Sequence, residues 1–186
     1  MQRQKRMALI NDITGFGRCS IAAMAPIVSA MKIQAVPIPT AILSTHTQFP
    51  IFYFDDYTSR MSDYIQTYKD LHLEFDAIAT GFLGSKEQVD IVIDFIQTFK
   101  QEGVFVLVDP VMGDHGKLYT TYTPEMCAKM KQLVQYADLM TPNLTELVTL
   151  VDRPYPTTYQ LLMNLKKCVN NFSTGTTTYC CDRYSF

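Results

Sequence analysis

Short apolar runs that end in Gly, Pro or polar residues recur along this chain, and longer stretches with helical spacing separate them. Met7–Ile10, Ala35–Pro39 (continued by Ala41–Leu43), Ala77–Thr80, Val104–Val108 and Asp138–Met140 read as strands. Ser20–Met31, Ser59–Leu71, Glu87–Lys100, the stretch from Pro124 to about Tyr136, Leu144–Val151 and Thr157–Asn170 read as helices. Val89, Val92, Ile93, Ile96 and Phe99 sit at helical spacing before Gly103, which ends that segment. Thr123-Pro124-Glu125 is a helix start with Pro at the first position. Thr157, with Gln160 three residues on, has the pattern of a capping box. Strand–helix alternation of this kind predicts an α/β fold with a mainly parallel central sheet covered by helices.

The run Val104–Val108 is apolar without alternation, as expected of a strand buried on both faces. It is followed at once by Asp109-Pro110-Val111-Met112-Gly113-Asp114-His115-Gly116-Lys117-Leu118-Tyr119. In open α/β sheets, ligands bind beyond the carboxyl ends of the strands. Carboxylates there can hold Mg²⁺, and glycines let backbone amides approach phosphate oxygens. A Pro/Gly turn with Asp as a turn former explains the same residues, and both readings stay open.

The other strand ends carry candidates of the same kind. Asn11 to Ser20 presents Asp12 after the first strand; a turn or helix-cap role serves it equally well. The stretch is not a dinucleotide fingerprint, because Ser20 stands at the third glycine position. Leu43-Ser44-Thr45-His46-Thr47-Gln48-Phe49 groups hydroxyls, an imidazole and an amide. These could read the polar edge of a small aromatic ligand, with nearby Phe49, Phe52, Tyr53 and Phe54 over its face. Residues 44–57 have no clear period and are expected to be a loop or flap. Gly81-Phe82-Leu83-Gly84 is either a ligand-facing turn or a βα turn with Phe82 in the core. In Thr141-Pro142-Asn143-Leu144-Thr145-Glu146, Asn143 and Glu146 fit a capping box. They would also suit a nucleotide phosphate site at a helix start. Gly113-x-x-Gly116-Lys117 has the wrong spacing for a Walker A loop.

Length and composition narrow the class. The 186 residues suggest one domain, and 47% apolar with 18% charged residues is enough for a packed core. The formal net charge is −2 without a basic stripe, which argues against nucleic acid as a partner. Five cysteines, an odd number without a Cys-x-x-Cys, indicate neither a disulfide framework nor a zinc site. The basic start Met1–Arg6 precedes only the short apolar run Met7–Ile10, too short for a signal-peptide core or a membrane span. A cytoplasmic protein that does not engage membranes is expected.

Together, Asn11 to Ser20, Leu43 to Thr47, Thr80 to Gly84, Asp109 to Tyr119 and Thr141 to Glu146 resemble the pyridoxal kinases of the ribokinase-like vitamin kinase family, in order and spacing over about residues 5 to 165. The related hydroxymethylpyrimidine kinases usually carry a different, Gly-rich first loop. The resemblance implies a three-layer α/β/α fold and ATP-dependent phosphorylation of the 5′-hydroxymethyl group of a B6 vitamer. It implies that Asp12 and Thr47 bind polar groups of the pyridine ring, with His46 and Phe82 lining the pocket. Asp109, Asp114, Thr141, Asn143 and Glu146 would form the nucleotide side, and Asp109, Asp114 and Glu146 the Mg²⁺ side. Residues 44–57 would be the flap, and a homodimer is the family's usual state.

One departure qualifies these expectations. The family's last third supplies a Gly-Thr-Gly-Asp loop, whose aspartate is the general base. Here residues 170–186 contain no Val, Ile or Leu, and Thr174-Gly175-Thr176 is followed by Thr177 rather than Gly. The sequence therefore reads as a partial kinase domain, incomplete or frameshifted at its C-terminus, with an atypical tail that could still pair as a strand through its Thr and Tyr residues. Impaired phosphorylation is expected, a general base being worth ~10²–10⁴-fold. The alternatives are a non-catalytic fragment that binds a vitamer or nucleotide, and a hydroxymethylpyrimidine kinase.

Overall fold

The computed structural model describes residues 3–155 and 177–178. Its main sheet is built from β1 (Arg6–Phe16), β2 (Gln34–Thr45), β3 (Phe54–Asp56), β4 (Ala77–Thr80), β5 (Phe105–Val108), β8 (Leu139–Met140) and β9 (Thr177–Thr178), in the order β3-β2-β1-β4-β5-β8-β9. Every pairing is parallel except that of β2 with β3. Gly113–Asp114 (β6) and Lys117–Leu118 (β7) form a separate hairpin. The helices are α1 (Ser20–Ala30), α2 (Thr58–Asp70), α3 (Lys86–Phe99), α4 (Pro124–Leu133, extended by a 3₁₀ turn over Val134–Tyr136) and α5 (Leu144–Leu150).

Period-two alternation along the strands sorts the side chains onto two faces. Ala8, Ile10, Ile78, Val106 and Val108 join the core under α2, α3 and α4, where Met61, Val92, Phe95 and Met130 are fully buried. Leu9, Ala79 and Leu107 point the other way and meet Ile21 and Val28 of α1. The sheet is thus covered on both faces, as the alternating sequence predicts. On the larger face, Phe75, Phe95 and Phe99 pack with ring centroids 4.5–5.6 Å apart. Phe95 is the centre of this cluster, while Ile93, one of the residues at helical spacing, is half-buried against its margin.

The first two strands differ from expectation. β1 continues through Asn11 and Asp12 to Phe16, and β2 runs unbroken through Pro37 and Pro39 to Thr45. The prolines fit because β3 covers β2 only from Ala41 to Leu43. Two residues apart, they face the same side. The Pro37 carbonyl on that side accepts from the Tyr64 hydroxyl at 2.9 Å, so the missing N–H groups point away from β1. Register slips by one residue between Asn11/Pro39 and Ile13/Ile42, leaving an extra residue on β2 opposite Asp12. β4 pairs with β1 only as far as Ile10, so beyond that point β1, β2 and β3 leave the sheet as a three-stranded arm. The segment 44–57 is therefore not all loop: Ser44 and Thr45 end β2, and Phe54–Asp56 form an edge strand.

Thr177–Thr178 pair parallel to β8, so this part of the tail does form a strand. The helix expected over Thr157–Asn170, and the Thr174-Gly175-Thr176 stretch, lie outside the described residues. Phe95→Ala should lower stability by about 3–5 kcal/mol, read as a shift of the urea midpoint at unchanged slope, since it empties the middle of the aromatic cluster.

Candidate functional site

The strand order reverses between β1 and β4: the chain passes from β1 outward to β2, then returns to place β4 on the other side of β1. Such a switch point opens a crevice at the carboxyl ends of the strands. The rim of that crevice is continuous. The Gly81 N–H donates to the Ile10 carbonyl, Asp109 N–H to Thr80, and Thr141 N–H to Val108. The polar residues that follow four neighbouring strands thus start from one line.

At the switch point, the Asn11 side-chain oxygen accepts from two backbone N–H groups, those of Asp12 and Phe82, at 2.9 Å each. Gly81 is required by this contact, because a Cβ there would lie 2.2 Å from the Asn11 amide nitrogen. Asp12 is buried, and the Thr14 hydroxyl donates to its Oδ2 at 2.6 Å, fixing the carboxylate. Phe82 is held at its carbonyl too, which accepts from the Thr40 hydroxyl at 2.9 Å. Its ring is half-buried rather than sunk in the core. Below it, the buried Tyr122 hydroxyl donates to the Leu83 carbonyl at 2.9 Å, and burial pushes this phenol well up. The hydroxyl of Thr80 is buried at the same rim with no hydrogen-bond partner.

The arm carries the other predicted ring-binding residues. His46 is half-buried, its Nδ1 accepts from the Gln48 N–H, and its ring lies 4.6 Å from that of Phe49. Phe49 meets Phe16 edge-on at 5.7 Å. Thr47 is exposed at the tip.

On the far side, Asp109 follows β5, and Asp114 opens a two-residue hairpin turn. His115 and Gly116 have φ of +50° and +77°, the signs a type I′ turn demands. The His115 N–H donates to Asp114 Oδ1 at 2.8 Å. This hairpin is clamped onto the start of α5. The Asn143 amide donates to the Gly113 carbonyl and the Gly116 N–H donates to the Thr145 hydroxyl, both at 2.8 Å.

The capping box foreseen from spacing is present, with Asn143 accepting from the Glu146 N–H and Glu146 from the Asn143 N–H. The second Glu146 oxygen accepts from the Met112 N–H at 3.2 Å, and the residue is 1% exposed. Its carboxylate is therefore engaged with backbone, while Asp109, Asp114 and Thr141 are half-buried at the rim. Among the described residues, no three His, Cys, Asp or Glu side chains gather closely enough to hold a metal ion by themselves. Two hard carboxylates on adjoining loops still suit Mg²⁺, which takes one or two carboxylates together with phosphate oxygens and water.

Sequence reading missed Asn11, Thr40 and Gln88 as organising residues. Asn11 is the first polar residue after an apolar run. Gln88 shares the buried face of α3 with Val92 and Phe95, four and seven residues on, and that polar residue at core spacing was the available signal.

The family model described as phosphomethylpyrimidine kinase matches residues 27–175. The pyridoxal kinase PdxY of Actinobacillus pleuropneumoniae is 38% identical over 76 residues, which cover 39% of this chain and 26% of that protein. A Bacteroides thetaiotaomicron protein classed with the phosphomethylpyrimidine kinases, crystallised with pyridoxal, is 44% identical with a TM-score of 0.84, covering 91% of this chain and 60% of that one. The pyridoxal kinase of Lactobacillus plantarum is 28% identical with a TM-score of 0.87, covering 96% and 64%. The chain thus spans about three fifths of these solved structures and about a quarter of the PdxY relative. It belongs to the ribokinase-like family of vitamin kinases that the phosphomethylpyrimidine kinase model describes, alongside pyridoxal kinases.

Proposed function

We propose that this chain binds a B6 vitamer over β1, β2 and β4 and Mg-ATP over β5, β6 and β8, for phosphoryl transfer to the vitamer's 5′-hydroxymethyl group. The observation that carries the reading is the shared Asn11 oxygen, which sets Asp12 and the Phe82 turn side by side at the switch point. The presence of pyridoxal in crystals of the 44% identical Bacteroides protein supports it.

Each residue has a role in this scheme. Asp12 and Thr47 take the ring's polar groups, Phe82 and His46 line its edges, and the arm covers it, excluding water. Asp109 and Asp114 hold Mg²⁺, and Thr141 and Asn143 adjoin the nucleotide. Glu146 serves the metal side through the Met112–Gly113 backbone and the Asn143 N–H that it fixes. The ion would neutralise charge on the transferring phosphoryl group, where positioning and electrostatics supply most of the catalysis. A cytoplasmic location belongs to the reading; no described helix is long and apolar enough to cross a membrane. So does a homodimer, which the exposed Ile27 and Met31 on the outer side of α1 would suit.

The family description favours one second reading, phosphorylation of a hydroxymethylpyrimidine. Calorimetry decides between them. Saturable pyridoxal binding that hydroxymethylpyrimidine competes away only weakly supports the vitamer reading; the reverse order, or no binding, overturns it. A polypeptide of these 186 residues, which carries no Gly-Thr-Gly-Asp stretch, is expected to phosphorylate pyridoxal ~10²-fold or more slowly than a longer relative in a coupled ADP assay.

Two substitutions separate the halves of the site. Asp12→Ala should weaken pyridoxal binding by about 10- to 100-fold, the loss of a hydrogen bond to a charged group, with Mg-ATP binding unchanged. Glu146→Ala should cost about 2–3 kcal/mol in urea unfolding without any ligand, because it strands two buried N–H donors. Ligand-dependent loss alone, with full stability, would show that the carboxylate is not the structural tie described above.

A further inference from the structure

Gln88 is 1% exposed, yet its side-chain amide is fully engaged. Its oxygen accepts from the Gly84 N–H at 2.8 Å. Its nitrogen donates to the Thr40 carbonyl at 2.8 Å, the Thr58 hydroxyl at 2.8 Å and Asp56 Oδ1 at 3.3 Å. Asp56 Oδ1 also accepts from the Thr58 N–H and hydroxyl. Three segments distant in sequence therefore meet on one amide: the bulged stretch of β2, the return of the arm into α2, and the turn after β4.

The connection continues. Thr40, whose carbonyl Gln88 holds, gives its hydroxyl to the Phe82 carbonyl at 2.9 Å, and the Phe82 N–H goes to Asn11. An unbroken polar seam thus runs from Asp56 at the root of the arm, through Gln88 and Thr40, to Phe82, and through Asn11 to Asp12. A Met or Leu at position 88 would match the apolar core around it, among Val89, Val92 and Met61. A buried amide is costly there unless every polar atom is satisfied, and a satisfied network rigidifies what it joins.

We propose that Gln88 is a positioning residue that couples the arm to the Phe82 turn, so that the cover and the floor of the vitamer pocket are set together. The inference rests on the vitamer reading above. It assigns Gln88 no contact with the ligand.

The test uses the full chain with Gln88→Met, read by hydrogen exchange without ligand and by calorimetry with pyridoxal and with Mg-ATP. Exchange should quicken at Gly84 and across residues 52–58, while β5 and α4 keep their protection. Pyridoxal affinity should fall about tenfold, with Mg-ATP affinity within about twofold of wild type. A purely structural role predicts faster exchange throughout and equal loss for both ligands, and that result overturns the proposal. Should Gln88→Met fail to fold, Thr40→Val removes only the hydroxyl that holds Phe82 and should give the same selective loss, at about threefold. If the wild-type chain binds no pyridoxal, the vitamer reading falls, and exchange alone judges the coupling; unchanged protection of Gly84 and residues 52–58 then overturns it as well.

Discussion

A single amide oxygen, that of Asn11, sets how β1 and β4 part at the switch point. Parallel β1 and β4 separate after Ile10 and Thr80, β1 running on beside β2 while β4 ends, and neither may strand its buried N–H groups. By accepting from Asp12 and from Phe82, Asn11 satisfies both departures with one group. The close approach at Gly81 goes with that choice. The floor of the crevice is tied by short, buried contacts between backbone and side chain.

The opposite half of the rim is organised by a different device. A two-residue I′ hairpin is too short to stand alone in water. It persists here because α5 receives it: Asn143 takes the Gly113 carbonyl, Thr145 the Gly116 N–H and Glu146 the Met112 N–H. Residues that the capping-box pattern explains locally thereby do a second, long-range job. The cap that the sequence spacing indicates is present, and the same two side chains reach beyond it. Asn143 and Glu146 hold the backbone at Met112 and Gly113, next to Asp114.

Legibility in the sequence followed the range of the forces. Ala77–Thr80 has the bounds its composition suggests, and the helices of the larger face start within a residue of their signals, because propensity, capping and apolar period are local. The observed β1 outruns its apolar run through Asn11-Asp12, which look like a breaker, and β2 joins the two segments Ala35–Pro39 and Ala41–Leu43 across Thr40. Only pairing with β2 keeps Asn11 to Phe16 in a strand. Phe95 centres the core because three phenylalanines from two segments stack there, with Ile93 packed at its margin. Asp12 and Phe82 could be singled out by their places after strands. Asn11 and Gln88 carry local signals too, but not the identity of their partners, which lie 71 and 48 residues away.

The prolines of β2 have one more effect. A sheet border with free N–H and C=O groups invites another chain to add a strand, the usual route to fibrous self-assembly. Along residues 37–39 this border offers no N–H at two successive outward positions, and Tyr64 already occupies the Pro37 oxygen. That flank of the sheet is closed to templated growth, and its neighbour is protected by β3. The molecule can therefore extend an arm rich in exposed aromatics on this side without the adjoining backbone nucleating polymers.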